Sequence, residues 1–225
     1  GGQEEGIVMI RIVKAGDRRI EKFNARPAFP EEAERAAASV LADVRARGDA
    51  AVADAVARFE GARLSPGEFR VPADRLSAAA KSTSPAMKRA VADAVRRVRA
   101  FSKASLRPDW KMRTPGGGWT GEFFTPMDRV GVYVPGGTAP LASTAVMTVT
   151  LARVAGVKEI VACTPAGKTG EVNPVLLHAL VKAGATEIYR VGGIQAIGMM
   201  AFGTKTCRKV QKIAGPGNAF VTAAK

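Results

Sequence analysis

Three glycine-bearing turns carry the residues best suited to chemistry: VGVYV-PGGTAPLAST from Val130, YRV-GGIQAI from Tyr189 and VQKIA-GPGN from Val210. Each follows a short apolar run with strand character. A strand that stops at glycine and passes into a helix leaves backbone N–H groups free at the helix start, which suits a phosphate or another anion. None of the three spells G-x-G-x-x-G or G-x-x-x-x-G-K-[ST], so neither the usual dinucleotide fingerprint nor a P-loop marks them. CTPAGKTG at 163–170 ends like a P-loop but has one glycine before Lys168-Thr169 and no helix directly after, so it reads as a solvated loop.

The elements that must position these turns form a regular series. Val130 to Val134 is rich in β-formers and ends at Pro135-Gly136-Gly137. Ser143 or Thr144 is placed to cap a helix running to about Ala155, Gly156 closes it, and Lys158 to Cys163 is the next strand. Asn173-Pro174 supplies an N-cap with proline at the first helical position; the helix runs over Val175 to Ala183 and ends at Gly184. Thr186 to Val191 is the third strand, Gly192-Gly193 opens a helix through Phe202, and Val210 to Ala214 is the fourth strand. This βαβαβαβ pattern requires parallel strands with right-handed crossovers, which brings every strand-to-helix turn to the carboxyl edge of one sheet. The predicted class is α/β, a parallel-sheet Rossmann-like lobe over 128–225 preceded by a mainly helical N-terminal region.

The same residues carry a resemblance. DRVGVYVPGGTAPLAST (128–144), VGGIQAI with AFGT (191–204) and KIAGPGNAFVTAAK (212–225) are similar to histidinol dehydrogenases, as is VRARGDAAVADAVARFEG (44–61). The resemblance runs from about residue 30 to the last residue. It implies a zinc-dependent, NAD-linked oxidation of the amino alcohol L-histidinol to L-histidine in two hydride transfers through a bound aldehyde, the closing step of histidine biosynthesis, by a homodimer. It assigns NAD contacts to Tyr133, before the PGG turn at Gly136 and Gly137, to Gln195 in GG-x-QA and to Asn218 in GPGN. A tyrosine offers a ring for stacking and a hydroxyl, and the two amides offer neutral donors and acceptors. Read without the resemblance, Gln195 would cap its helix and Asn218 would only tolerate the turn after Gly217.

The catalytic half is expected elsewhere. Zinc needs about four ligands from His, Cys and carboxylates, whereas the sequence has one histidine, His178, beside an apolar helical line, and two cysteines, Cys163 and Cys207. No catalytic or metal-binding residue is therefore assigned in this chain. The resemblance places the zinc ligands and the glutamate–histidine pair after Lys225, and the chain is expected to be a piece of a longer enzyme, its lobe cut at the C-terminal end. GGIQAIGMM and TPGGGWTGEFF depart from the family pattern and leave open a member acting on another small alcohol.

Residues 1–29 read as an N-terminal arm and 30–127 as a mainly helical region and linker, part of a second, incomplete α/β domain. Helices are expected from Pro30 past Gly48 to Phe59, over Ala73 to Lys81, and from Ser84 to about Ser105; 106–127 is linker-like, with a possible extended piece at WTGEFF. In the resembled family this part joins strands supplied from downstream, so weak anchoring is expected here. No apolar run reaches a membrane span, and two distant cysteines suit free thiols in a reducing cytoplasm. The net charge of +14 raises the alternative of a basic nucleic-acid-binding module, yet residues 1–127 carry 23 basic and 16 acidic side chains and 128–225 carry 11 and 4, so each part contributes +7. An even spread argues against a dedicated face. The basic stretch 84–105 reads as a core-packed helix with a solvated face, and neither nucleic acid nor membrane is expected as a partner.

Overall fold

The computed structural model describes residues 13–25, 30–136 and 141–225. The N-terminal region is helical: α1 spans Arg18–Asn24, α2 Glu31–Arg47, α3 Asp49–Phe59, α4 Ala73–Ser82 and α5 Pro85–Ala104. Glu31, Glu32 and Glu34 in the first turn of α2 complement its dipole, and Ser84 caps α5 by accepting from the Met87 N–H at 3.3 Å. Asp49 and Phe59 bound a separate helix because Gly48 breaks the run with φ 60°.

Strand β1 (Trp110–Arg113) and strand β2 (Trp119–Glu122) follow, paired antiparallel with Arg113 opposite Trp119. The expected linker is thus partly a hairpin, closed by the Thr114 N–H on the Gly118 carbonyl. Gly116 to Gly121 happens to spell G-x-G-x-x-G, but the string turns between antiparallel strands and opens no helix. All eight strand residues are exposed, so nothing in their burial pattern marks a core-facing side.

Next come β3 (Arg129–Tyr133), α6 (Ala142–Val154), β4 (Glu159–Cys163), α7 (Pro174–Ala183), β5 (Glu187–Tyr189), α8 (Gly193–Phe202), β6 (Lys212–Ala214) and α9 (Ala219–Ala224). The four strands form a parallel sheet in the order β5-β4-β3-β6. Strand order therefore reverses between β3 and β6, the switch point of a doubly wound sheet. The capping at Asn173-Pro174 and the left-handed Gly184 at φ 112° match the sequence reading. The start of α6 does not: its N-cap is Leu141, and neither Ser143 nor Thr144 makes a side-chain cap, because both lie inside the first turn. β5 and β6 are shorter than expected, three residues each.

The core has two layers, one on each sheet face. Ile160 and Ala162 of β4 point toward α4, α5, α6 and α7, while Val161 and Cys163 point toward α2, α3, α8 and α9, the period-2 alternation of a strand buried on both faces. α2 and α3 thus join one core and α4 and α5 the other, contrary to the expected weak anchoring. Residues 61–72, read as a plain connection, also line the outer edge of β5: the Val71 N–H donates to the Ile188 carbonyl at 2.8 Å and the Arg190 N–H to the Phe69 carbonyl at 2.8 Å. α5 buries Val91, Val95 and Ser102 and leaves Phe101 exposed. Its outer face carries a solvated Asp93 paired with Arg96 and Arg97. Among the described residues no helix is long and apolar enough to cross a membrane.

At the amino edge of the sheet one guanidinium joins three strands. Arg129, 5% exposed, places Nη1 2.6 Å from both Glu159 Oε2 and Glu187 Oε1 and Nη2 3.1 Å from Glu187 Oε2, while Nε donates to the Arg208 carbonyl. Tyr189 Oη lies 2.7 Å from Glu187 Oε2 and 2.8 Å from the Thr206 carbonyl. The Arg129 contact holds the Glu187 carboxyl down to about 2.

Candidate functional site

The carboxyl edge gathers the turns after β3, β4, β5 and β6. Their glycines have first a steric reason: a Cβ at Gly136 would meet Pro165 Cγ at 2.5 Å, and one at Gly192 would meet Pro165 Cβ at 2.5 Å. Pro165, just after β4, is wedged between the turns after β3 and β5, which only glycine allows on either side. Gly137 lies outside the described residues.

Tyr133 ends β3 and is 4% exposed, packed with Val161, Cys163, Tyr189 and Val191 on the α8 side. Its ring is therefore core, and the stacking platform expected from the sequence is not available in this conformation. The hydroxyl is engaged instead: Tyr133 Oη accepts from the Gly193 N–H at 3.1 Å. Burial pushes the phenol above its usual range.

Gln195, in the first turn of α8, is 1% exposed and makes no cap. Its Nε2 donates to Glu60 Oε1 at 3.1 Å, and its Oε1 is buried without a partner among the described residues. An unpartnered buried acceptor costs about 1–3 kcal/mol, so it is a standing invitation to a hydroxyl or N–H donor.

Glu60, missed by sequence reading, closes α3 and joins three segments. Besides Gln195, its Oε1 accepts from the Gly192 N–H at 2.8 Å and its Oε2 from the Ala166 N–H at 3.2 Å. Burial raises its carboxyl above the ordinary value, and the three donors oppose that shift. Of the N–H groups at the start of α8, expected to be free for a phosphate, those of Gly192 and Gly193 are thus held by the chain's own Glu60 and Tyr133. Nothing in RFEGAR distinguishes this glutamate from other surface acids, since its partners lie 106 to 135 positions away.

Asn218 lies beyond β6, adjacent to β3 in the sheet. Its Oδ1 accepts from the Val221 N–H at 3.0 Å and caps α9, a firmer local role than tolerating the turn; Nδ2 has no partner among the described residues, and the side chain is exposed. The turn before it touches Tyr133 closely: Gly215, at φ 127°, would place a Cβ 2.1 Å from the Tyr133 carbonyl oxygen. Lys225 Nζ donates to the Gly215 carbonyl and sits 5.9 Å from the Tyr133 ring centroid. The structure thus links Tyr133 to the start of α8 on one side and to the 215–218 turn on the other. Exposed Gly136 completes this edge.

A wide apolar groove lies elsewhere. About 700 Å³ in volume, it opens on the α6 face beside the unpaired edge of β6 and is lined by Leu106, Phe124, Met127, Val130 and Leu151 among others. Apolar and almost without titratable groups, it offers no chemistry, and the carboxyl edge remains the candidate site.

These residues fit part of a dinucleotide: an acceptor at Gln195 and an amide donor at Asn218, both without partners among the described residues, and glycine-lined turns at a switch point. They do not fit zinc. No group of three His, Cys, Asp or Glu that could hold a metal occurs among the described residues. His178 is half-buried on α7, and burial with Lys88 and Lys182 nearby lowers its imidazole. Cys163 and Cys207 are free, buried thiols.

Known proteins share this sequence and this fold. The family model described as histidinol dehydrogenase matches residues 25–225. A histidinol dehydrogenase of Methanosarcina barkeri (strain Fusaro / DSM 804) is 40% identical over 223 residues, 97% of this chain and 51% of that protein. One of Symbiobacterium thermophilum is 42% identical over 200 residues, 89% of this chain and 46% of that protein. The crystal structure of histidinol dehydrogenase from Elizabethkingia anophelis superposes with a TM-score of 0.84 at 34% identity, covering 92% of this chain and 48% of that one. The chain spans about half the length of the curated relatives it matches. With the switch-point sheet and its glycine turns matched along nearly the whole sequence, this chain belongs to the histidinol dehydrogenase family.

Proposed function

We propose that this chain is the NAD-binding half of a zinc- and NAD-dependent histidinol dehydrogenase, oxidising L-histidinol to L-histidine through the aldehyde, as a cytoplasmic homodimer with no nucleic-acid partner. The observation that carries the reading is the meeting of Tyr133, the start of α8 and the Gly215–Asn218 turn at the carboxyl edge, where strand order reverses. Bound NAD would supply the hydride acceptor. Gln195 Oε1 takes a hydroxyl or amide donor of the cofactor, Asn218 Nδ2 gives a hydrogen bond, and Tyr133 acts from beneath by holding Gly193. On this reading zinc and the proton-transferring groups come from the rest of the enzyme, since no group of three His, Cys, Asp or Glu that could hold a metal occurs among the described residues.

Asn218 separates cap from ligand. Asn218→Asp keeps a side-chain oxygen for the Val221 N–H but removes the Nδ2 donor, so the melting temperature should hold while NAD affinity falls about tenfold, roughly one lost hydrogen bond. Isothermal titration with NAD beside a thermal melt reads both. Unchanged NAD affinity would remove Asn218 from the cofactor site.

The 225-residue chain with zinc, NAD and histidinol should give no histidinol-dependent NADH, because four convergent metal ligands are needed. Absorbance at the NADH band checks it, and turnover above background would overturn the division of labour.

A further inference from the structure

Glu60 brings a negative charge to the one place where a doubly wound lobe would ordinarily receive a ligand's negative charge. α8 is ten residues long, and its N-terminal N–H groups carry partial positive charge. The Gly192 N–H points at Glu60 Oε1 at 2.8 Å and the Gly193 N–H at Tyr133 Oη at 3.1 Å. The same carboxylate ties down the turn after β4 through the Ala166 N–H at 3.2 Å, so it is held from two turns. It also orients Gln195. With Nε2 committed to Glu60, the group left without a partner among the described residues is the acceptor Oε1, in a side chain 1% exposed. An acceptor calls for a hydroxyl or an N–H, and a phosphate at neutral pH supplies little of either. Across Tyr133 the polarity reverses, with the Lys225 ammonium over the ring and on the Gly215 carbonyl.

We propose that Glu60 is a specificity-determining residue of the cofactor site: its carboxylate fills the start of α8 as the chain's own anion, so this turn receives an uncharged, hydroxyl- or amide-bearing part of the cofactor and rejects its phosphates. This rests on the reading that NAD binds at the carboxyl edge. A second anion at α8 would meet Glu60 at short range in a partly buried setting, where like charges repel strongly. Removing the carboxylate leaves the Gly192 and Ala166 N–H groups unpaired and the helix start positive, an acceptor for small anions.

The test uses the polypeptide as its gene encodes it, carrying Glu60→Ala or the isosteric Glu60→Gln, with inorganic phosphate as the probe at constant ionic strength. Expected for the unsubstituted protein is a melting temperature and an NAD affinity that do not change with phosphate. Expected for Glu60→Ala is a melting temperature that climbs with phosphate, by linkage of binding to folding, and an apparent Kd for NAD raised severalfold by phosphate competition. Glu60→Gln, which keeps the size, should show the same sign. An equal phosphate response in the unsubstituted protein, or none in either variant, overturns the proposal. If the unsubstituted protein fails to bind NAD, the cofactor reading fails, and the phosphate dependence of the melts still decides what Glu60 does.

Discussion

Gly215→Ala should destabilise the protein by about 2–5 kcal/mol and cut NAD affinity by well over tenfold. The added Cβ would stand 2.1 Å from the Tyr133 carbonyl oxygen and 3.0 Å from its carbon, both backbone atoms that cannot swing aside. Holding φ at 127° with a side chain costs about 1–2 kcal/mol more, and a forced shift in a packed region typically about 1–3 kcal/mol. Relief requires β6 to move away from β3, carrying the 215–218 turn with it, and displacements of that order in a binding site can cost about a hundredfold. Gly167→Ala is the control, since Gly167 also has positive φ, at 62°, but meets nothing within 4 Å. Equal melts for the two variants, with NAD binding unchanged, would show that the close approach of β6 to Tyr133 does not hold the site.

Arg129→Ala should cost about 3–5 kcal/mol, the usual penalty for stranding a buried partner charge. Glu187, with its side chain 16% exposed, would lose both Nη contacts, whereas Glu159, at 40%, can turn to water. Arg129→Met combined with Glu187→Gln should recover part of the loss by removing the stranded charge. A pH dependence goes with it. The Glu187 value is depressed from 4.5 to about 2 in the folded protein, so its stabilisation is present above about 4.5 and is lost as pH falls through that window toward 2. Discounted for residual solvent contact, the loss is about 1–2 kcal/mol, and Arg129→Ala should abolish this share of the acid slope. Chemical denaturation at pH 7, 4.5 and 3 reads both effects; parallel slopes in the two proteins would contradict the pairing.

What sequence could and could not reveal divides along the range of the physics. Asn173-Pro174 and Ser84-Pro85 announce their helices because capping and proline chemistry act within three residues. The parallel sheet was legible from its strand–glycine–helix rhythm. Of the β1–β2 hairpin only the extended piece at WTGEFF was legible; its partner WKMR was not, since the strands are short and show no core-facing alternation. Tyr133 stood out by its motif, but the burial of its ring did not: the residues packed with it come from β4, β5 and the turn after β5. The glycines at 136 and 192 looked like phosphate chemistry, whereas Pro165, distant from both in sequence, supplies their steric reason. Glu60 gave no signal because all three of its contacts are long-range.

Amide hydrogen exchange read by mass spectrometry, on the polypeptide as its gene encodes it with and without saturating NAD, tests the location of the site most directly. Protection is expected in segments covering Val132–Gly136, Val191–Gly198 and Lys212–Phe220, with the amino edge around Arg129, Glu159 and Glu187 unchanged. Protection confined to the amino edge, or to the groove beside Leu106 and Phe124, with those three turns unaffected, would contradict a cofactor site at the carboxyl edge.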